Sequence, residues 1–202
     1  QGTISAKIKG IKKASAKLKF AGEPFCFAEF IILKKGAYNT IINASLIDSF
    51  YPVREDIKKL YSASIVLEFI KKFAKENIVS HELFLSAIST LKDIAYGDNY
   101  LKSLVAFLLT GLSLSGYGLN LTGCGTCGKQ IENNVYFDYK TGAFFCENCF
   151  SGSGKQIKIE TFNALNVAIG KEKAEISSDD FVLALKLLDY YFVKKIIAYF
   201  TY

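Results

Sequence analysis

Cys124-Gly-Thr-Cys127 and Cys146-Glu-Asn-Cys149, with the stretch Glu132-Asn-Asn-Val-Tyr-Phe-Asp-Tyr-Lys-Thr-Gly-Ala-Phe-Phe145 between them, decide how this chain is read. Two Cys-x-x-Cys pairs 18 residues apart fall in the spacing window of a four-cysteine zinc site. Two residues between cysteines allow a tight turn that aims both sulfurs at one point. Two such turns supply a closed tetrahedron of thiolates about 2.3 Å from the metal. Gly125 and Gly128 stand where a turn favours residues without a Cβ. The intervening stretch reads as strand, Lys-Thr-Gly turn, strand. The expectation is a zinc ribbon, with one structural Zn2+ held by Cys124, Cys127, Cys146 and Cys149.

Two other uses of cysteine fit less well. Paired disulfides need an oxidising compartment, and a Cys-x-x-Cys loop is short and strained for an internal bridge. A thioredoxin-like redox pair occurs once, beside a βαβ pattern that is absent here. A catalytic zinc keeps an open position. Four thiolates leave none, and no His-x-Glu partner precedes them as in a zinc deaminase. Cys26, in the apolar run Phe25-Cys-Phe-Ala, reads as a small buried hydrophobe. An odd cysteine count without a signal-peptide pattern points to the cytoplasm. The chain begins at Gln1 and contains no methionine, so the native protein is expected to extend upstream.

Half of the residues are hydrophobic and 22% are charged, which excludes a disordered chain and leaves room for one or two packed domains. Residues 103–128 carry no charge, yet glycines, serines and an asparagine dilute them. A buried helix ending at Ser115-Gly-Tyr-Gly is a better reading than a membrane span of some 20 apolar residues.

Residues 1–50 read as β-structure, with strands over Thr3–Gly10, Phe25–Leu33 and Tyr38–Ala44 and a turn at Lys34-Lys-Gly-Ala. Small β-domains of this kind often close into barrels. Lys7, Lys9, Lys12, Lys13, Lys17, Lys19, Lys34 and Lys35 face only three carboxylates in this quarter, so it holds +5 of the chain's +6. Such one-sided charge is the footprint of a phosphate-backbone binder, and these eight lysines are the candidate DNA contacts. Lysine neutralises phosphate as a point charge and reads no bases.

After Tyr51-Pro-Val the texture becomes helical. Asp56–Lys75 carries Leu60, Ala63, Leu67, Ile70 and Ala74 on one face. Glu82–Ile94 and Asn99–Leu114 follow, with His81 at a helix entry. Beyond a flexible Ser151-Gly-Ser-Gly joint, Ile159–Ile169 and Asp179–Tyr202 return to helix, the last one capped by Ser177-Ser-Asp-Asp and striped with Phe181, Leu185, Leu188, Phe192, Ile196 and Tyr199. The expected organisation is a basic β-domain over 1–50, a helical domain over 51–122 and 153–202, and a zinc-ribbon insertion over 123–152. No phosphate-binding glycine loop and no nucleophile–base set is present, so no small-molecule substrate is expected.

The order of these parts resembles one family. Gly2-Thr-Ile-Ser-Ala-Lys-Ile-Lys-Gly-Ile-Lys-Lys, Ser15-Ala-Lys-Leu and Glu23-Pro-Phe resemble the N-terminal domain of the RecO family of recombination mediators. Ala44-Ser-Leu-Ile-Asp-Ser-Phe, Arg54-Glu-Asp-Ile and the helix with Ala63 and Leu67-Glu68 continue the match. Phe107-Leu-Leu through Gly116-Tyr into Cys124-x-x-Cys127-Gly looks like that family's approach to its zinc knuckles.

The resemblance implies a multi-domain α+β protein with an oligonucleotide-binding (OB) barrel, a helical domain and an inserted zinc ribbon. The family's barrel begins some strands earlier, so the barrel here is expected to be incomplete. The resemblance also implies a DNA repair protein without enzymatic turnover, associated with the nucleoid. It would bind single- and double-stranded DNA, anneal complementary strands, and help load recombinase onto DNA coated with single-strand-binding protein. RecR and the single-strand-binding protein are its implied partners. The alternative class is a zinc-ribbon protein bound to RNA, the ribosome or RNA polymerase. It would share the basic face and the ribbon, but not the ordered RecO-like segments.

Overall fold

A computed structural model of the protein describes residues 3–11, 17–74, 80–152 and 154–192. The fold is mixed α+β, and the chain separates into two compact units, Gln1–Gly97 and Asp98–Tyr202.

The first unit begins with a three-stranded sheet in the order β1-β3-β2: β1 (Lys7–Ile8), β2 (Phe27–Lys35) and β3 (Tyr38–Asp48). The β-branched and aromatic residues of 27–48 suit a pleated ladder. β2 and β3 form an antiparallel hairpin, and β1 runs parallel to β3. The first strand is therefore two residues, not the eight of Thr3–Gly10. The register slips at Phe27/Ala28 and at Ile31/Ile32, leaving an extra residue in β3 each time. Such bulges bend a hairpin and increase its twist. Among the described residues this sheet is open and does not close into a barrel.

Asp48 ends β3 and accepts hydrogen bonds from the Phe50 amide (2.8 Å) and the Tyr96 hydroxyl (2.8 Å). Phe50 is buried with φ +43°, a conformation that few side chains other than glycine adopt. The chain then turns sharply into α1 (Pro52–Glu55), α2 (Ile57–Phe73) and α3 (His81–Tyr96). Asp56 caps α2, accepting from the Lys58 and Lys59 amides, a contribution of about 1 kcal/mol. The Lys59 ammonium donates to the Ala95 carbonyl at 2.9 Å, placing a cation at the C-terminal end of α3.

α2 buries Ser62, Ala63, Val66 and Phe69, while Leu67 is 40% exposed. The stripe expected through Leu60, Ala63 and Leu67 is thus rotated by about one position. The reason is that α2 is apolar nearly all round, so periodicity alone does not fix which side faces in. His81 opens α3, and Leu83, Ala87, Leu91, Ile94 and Ala95 are its buried apolar face.

In the second unit α4 (Tyr100–Leu114) starts at Asn99, whose side chain accepts from the Lys102 amide. Its buried face includes Leu104, Val105, Phe107 and Leu112. Among the described residues no helix is long and apolar enough to cross a membrane. A second sheet follows in the order β5-β4-β6: β4 (Val135–Asp138), β5 (Ala143–Cys146) and β6 (Lys155–Ile157). The first two are the expected ribbon hairpin, and β6 adds to it just past the Ser151-Gly-Ser-Gly joint, where the sequence reading assigns no element. Gly154 permits that pairing, since a Cβ there would stand 2.6 Å from the Phe137 carbonyl.

α5 (Ile159–Ala168) and α6 (Ser178–Phe192) complete the unit, and α4 packs against both. Ser177 caps α6 through the Asp180 amide. Phe181 and Leu188 of its expected stripe are buried, with Leu185 and Phe192 at the margin. Ile196 and Tyr199 lie outside the described residues.

The ribbon does not stand apart from these helices. Val135, Phe137 and Phe144 have no exposed surface. The Phe144 ring meets Phe162 of α5 at 4.9 Å, and Phe137 meets Tyr191 of α6 at 5.7 Å. The Tyr191 hydroxyl donates to the Tyr117 carbonyl at 3.2 Å. Replacing a fully buried phenylalanine leaves a cavity that costs about 3–5 kcal/mol. Phe144→Ala should therefore lower the stability of the second unit by about that amount in urea unfolding. Val182→Ala, on the open side of α6, should cost only about 0.5 kcal/mol.

Candidate metal centre and basic sheet

Each cysteine pair is placed by backbone hydrogen bonds that the local sequence dictates. In the first knuckle the Cys124 amide donates to the Lys129 carbonyl (2.9 Å), and the Gly128 amide to the Cys124 carbonyl (2.8 Å). Gly128 sits at φ +70°, so glycine lets the chain double back after Cys127. Gly125 acts differently: its φ is not left-handed, and a Cβ would press on the Phe145 ring at 3.1 Å. The Gly125 amide donates to the Phe144 carbonyl at 2.8 Å, tying the first knuckle to β5. Cys146 is the last residue of β5, and a 3-10 turn over Glu147–Cys149 presents Cys149. Asn134 donates to the Glu147 carboxylate at 2.8 Å and accepts from Gln156 at 3.1 Å, so β6 steadies the second knuckle.

The result brings all four expected ligands together. The sulfurs of Cys124, Cys127, Cys146 and Cys149 lie within 4.8 Å of one another, and those of Cys127 and Cys146 are 4.0 Å apart. A tetrahedron with metal–sulfur bonds of about 2.3 Å has sulfur–sulfur edges of about 3.8 Å. A disulfide needs about 2.05 Å, and all five cysteines are free. The cluster is therefore shaped for a metal ion. Cys26 takes no part: it is half-buried in the first unit, and burial raises its pKa with Arg54 partly opposing.

The protonation of the cluster carries the same message. Burial opposes ionisation of Cys124, but the amides of Cys127, Cys146 and Thr126 and the Cys127 thiol outweigh it and lower its pKa to about 6. Hydrogen bonds from Cys149 to the Cys146 and Cys127 sulfurs, then desolvation and the Cys124 charge, push Cys149 up to about 12. Four thiols this close do not all ionise unless a cation joins them.

The basic residues are less convergent. Lys7, Lys9, Lys17, Lys19, Lys34 and Lys35 are all exposed in the first unit. Lys12 and Lys13 lie outside the described residues. Pairing of β2 with β3 puts Lys35 beside Tyr38 and Lys34 beside Asn39, on opposite faces of the sheet. The Lys7 ammonium stands 5.1 Å from the Tyr38 ring centroid. Tyr38 was not singled out in the sequence, although its place directly after Lys34-Lys35-Gly-Ala marks an aromatic among cations.

The family model described as "Recombination protein O C terminal" matches residues 54–196. The chain belongs to the RecO family. It is 29% identical over 178 residues to the DNA repair protein RecO of Alkaliphilus metalliredigens, covering 87% of this chain and 72% of that one. It is 25% identical over 181 residues to that of Acetivibrio thermocellus, covering 88% and 72%. It is 30% identical over 166 residues to that of Clostridium acetobutylicum, covering 82% and 67%. Alignments of this length reach beyond residues 54–196, into the basic sheet or the C-terminal end. The RecO resemblance read from ordered short motifs is thereby confirmed for the chain.

In the metal-free protein the Cys124 thiol should ionise near pH 6, followed by ultraviolet thiolate absorbance. The sign follows from a folded pKa below the ordinary 9.0: this ionisation stabilises the fold at high pH, and the gain is lost as pH falls through about 6. Cys124→Ser should remove the first step of the titration.

Proposed function

We propose that the protein is a DNA repair and recombination mediator with no turnover of its own. It binds single- and double-stranded DNA through the lysines of the first unit and promotes annealing of complementary strands. It helps load recombinase onto strands coated with single-strand-binding protein, with RecR as a further partner, in the cytoplasm at the nucleoid. The observation that carries this reading is membership of the RecO family across residues 54–196. Relatives named DNA repair protein RecO support it, as does the concentration of positive charge in the first quarter of the chain.

The metal in this reading is one structural Zn2+ on Cys124, Cys127, Cys146 and Cys149. Four thiolates suit zinc and leave no coordination position for water or substrate. The open sheet is read as part of an OB-type barrel. Its two bulges supply the bends that a closing sheet needs, and Ile8, Ile41 and Ile32 form a half-buried row suited to a barrel interior. On this reading the basic β-domain covers 1–50, the helical domain 51–122 and 153–202, and the ribbon 123–152. The helical part receives the acidic and apolar tail of single-strand-binding protein, basic residues meeting its carboxylates. Contact with tail and DNA together makes two weak interactions act as one.

Annealing of complementary strands coated with single-strand-binding protein tests the reading. The protein should accelerate it with the full-length coat and lose most of that effect when the tail is deleted. Equal annealing with both coats, and no binding to the tail peptide, would favour the ribosome- or polymerase-associated alternative. The lysines have their own signature. The logarithm of DNA affinity should fall linearly with the logarithm of salt. Replacing Lys12, Lys13, Lys17 and Lys19 with glutamine should flatten the slope by about one unit for each phosphate contact removed. An unchanged slope would assign those lysines to solvation alone.

A further inference from the structure

The two faces of the first sheet differ in what they carry. Directly paired residues point to the same side of a sheet. The register therefore puts Lys7, Thr40 and Leu33 in one row and Tyr38 with Lys35 in the next, on a common face. Ile8, Ile41 and Ile32 form the matching row behind. The isoleucines are half-buried, whereas Lys7, Leu33, Lys35 and Tyr38 are exposed. Tyr38 stands at the hairpin tip with 67% of its surface open, so burial does not account for a large aromatic there. Its ring is held beside the Lys7 ammonium at 5.1 Å, a distance at which the cation is drawn to the aromatic face.

We propose that Tyr38 is a stacking platform for an unpaired base of single-stranded DNA, with Lys7 and Lys35 on the flanking phosphates. This rests on the DNA-binding reading above and adds what separates single strands from duplex at this surface. Every base has a π-face, so stacking on an exposed ring is tolerant of sequence, and lysines track the backbone without reading it. In a duplex the bases are already stacked on one another, and only the phosphates are offered to the lysines. The next carboxylate along β2 is Glu29, six residues from Lys35 and about 20 Å away at 3.3 Å per residue. On β3 itself the carboxylate is Asp48, ten residues from Tyr38 at the other end of the strand, so neither strand repels a phosphate at Tyr38.

Binding of the full chain is compared for three labelled ligands of equal length: oligothymidylate, a strand of abasic sugar-phosphate units, and a duplex. Tyr38→Ala should weaken oligothymidylate binding about tenfold, with the abasic strand and the duplex changed less than about twofold. Tyr38→Phe keeps the ring and should bind like the wild type. Equal oligothymidylate binding by Tyr38→Ala and wild type, with weakening in the Lys7→Gln, Lys35→Gln double variant, would remove the stacking role and leave DNA binding intact. No binding of any ligand by the wild type at low salt would overturn both readings. Photocrosslinking of wild type to a bromouracil-substituted strand is independent of the variants' folding. An adduct on Tyr38 supports the platform, and adducts found only elsewhere overturn it.

Discussion

The close approach of four cysteine sulfurs is the constraint on which the second unit depends. Left to themselves the thiols share protons unequally, one ionising near pH 6 and another held up to about 12. A cation held among the four sulfurs would resolve that conflict by pairing with every thiolate at once. The consequence reaches the core in very few bonds. The amide after Cys124 is bonded to the Phe144 carbonyl, and Cys146 ends the strand that carries Phe144. Phe144 and Phe137 pack on α5 and α6. The position of the sulfurs and the packing of the helices are thus two ends of one short hairpin.

The first unit is held by other means and has another kind of surface. A single carboxylate, Asp48, joins the end of β3 to the Phe50 amide and to the last residue of α3. That anchoring leaves the far end of the hairpin free of the helices' core residues, with Tyr38, Lys7 and Lys35 open to solvent. A second unit built around a cysteine cluster and an open basic sheet in the first suit the proposed mediator, in which one part meets a protein and the other a nucleic acid.

Much of this was legible in the sequence because the signals were local. Cys-x-x-Cys turns, the Lys-Thr-Gly hairpin, Ser177 as a cap, and the helix starts near Asp56, His81 and Asn99 all depend on residues a few positions apart. What was not legible depended on contacts distant in sequence. β6 joins the ribbon through the close approach of Gly154 to Phe137, which a Ser-Gly-rich stretch does not advertise. The buried side of α2 was missed because Ile57, Tyr61, Ile65, Val66 and Phe69 surround the helix with apolar choices. The short β1 reflects pairing available only opposite Thr40 and Ile41. An incomplete barrel was expected, and the described residues form an open, bulged three-stranded sheet.

The dependence of the second unit on its sulfur cluster is tested most directly by metal analysis and amide hydrogen exchange on wild type and Cys146→Ser together. The account predicts one zinc per wild-type chain and loss of zinc in the variant. Protection should then fall at the Gly125 amide, through β4–β6 and into α5 and α6, while α2 and α3 keep theirs. Full zinc occupancy in Cys146→Ser, or metal loss without any loss of protection in β4–β6, would contradict it.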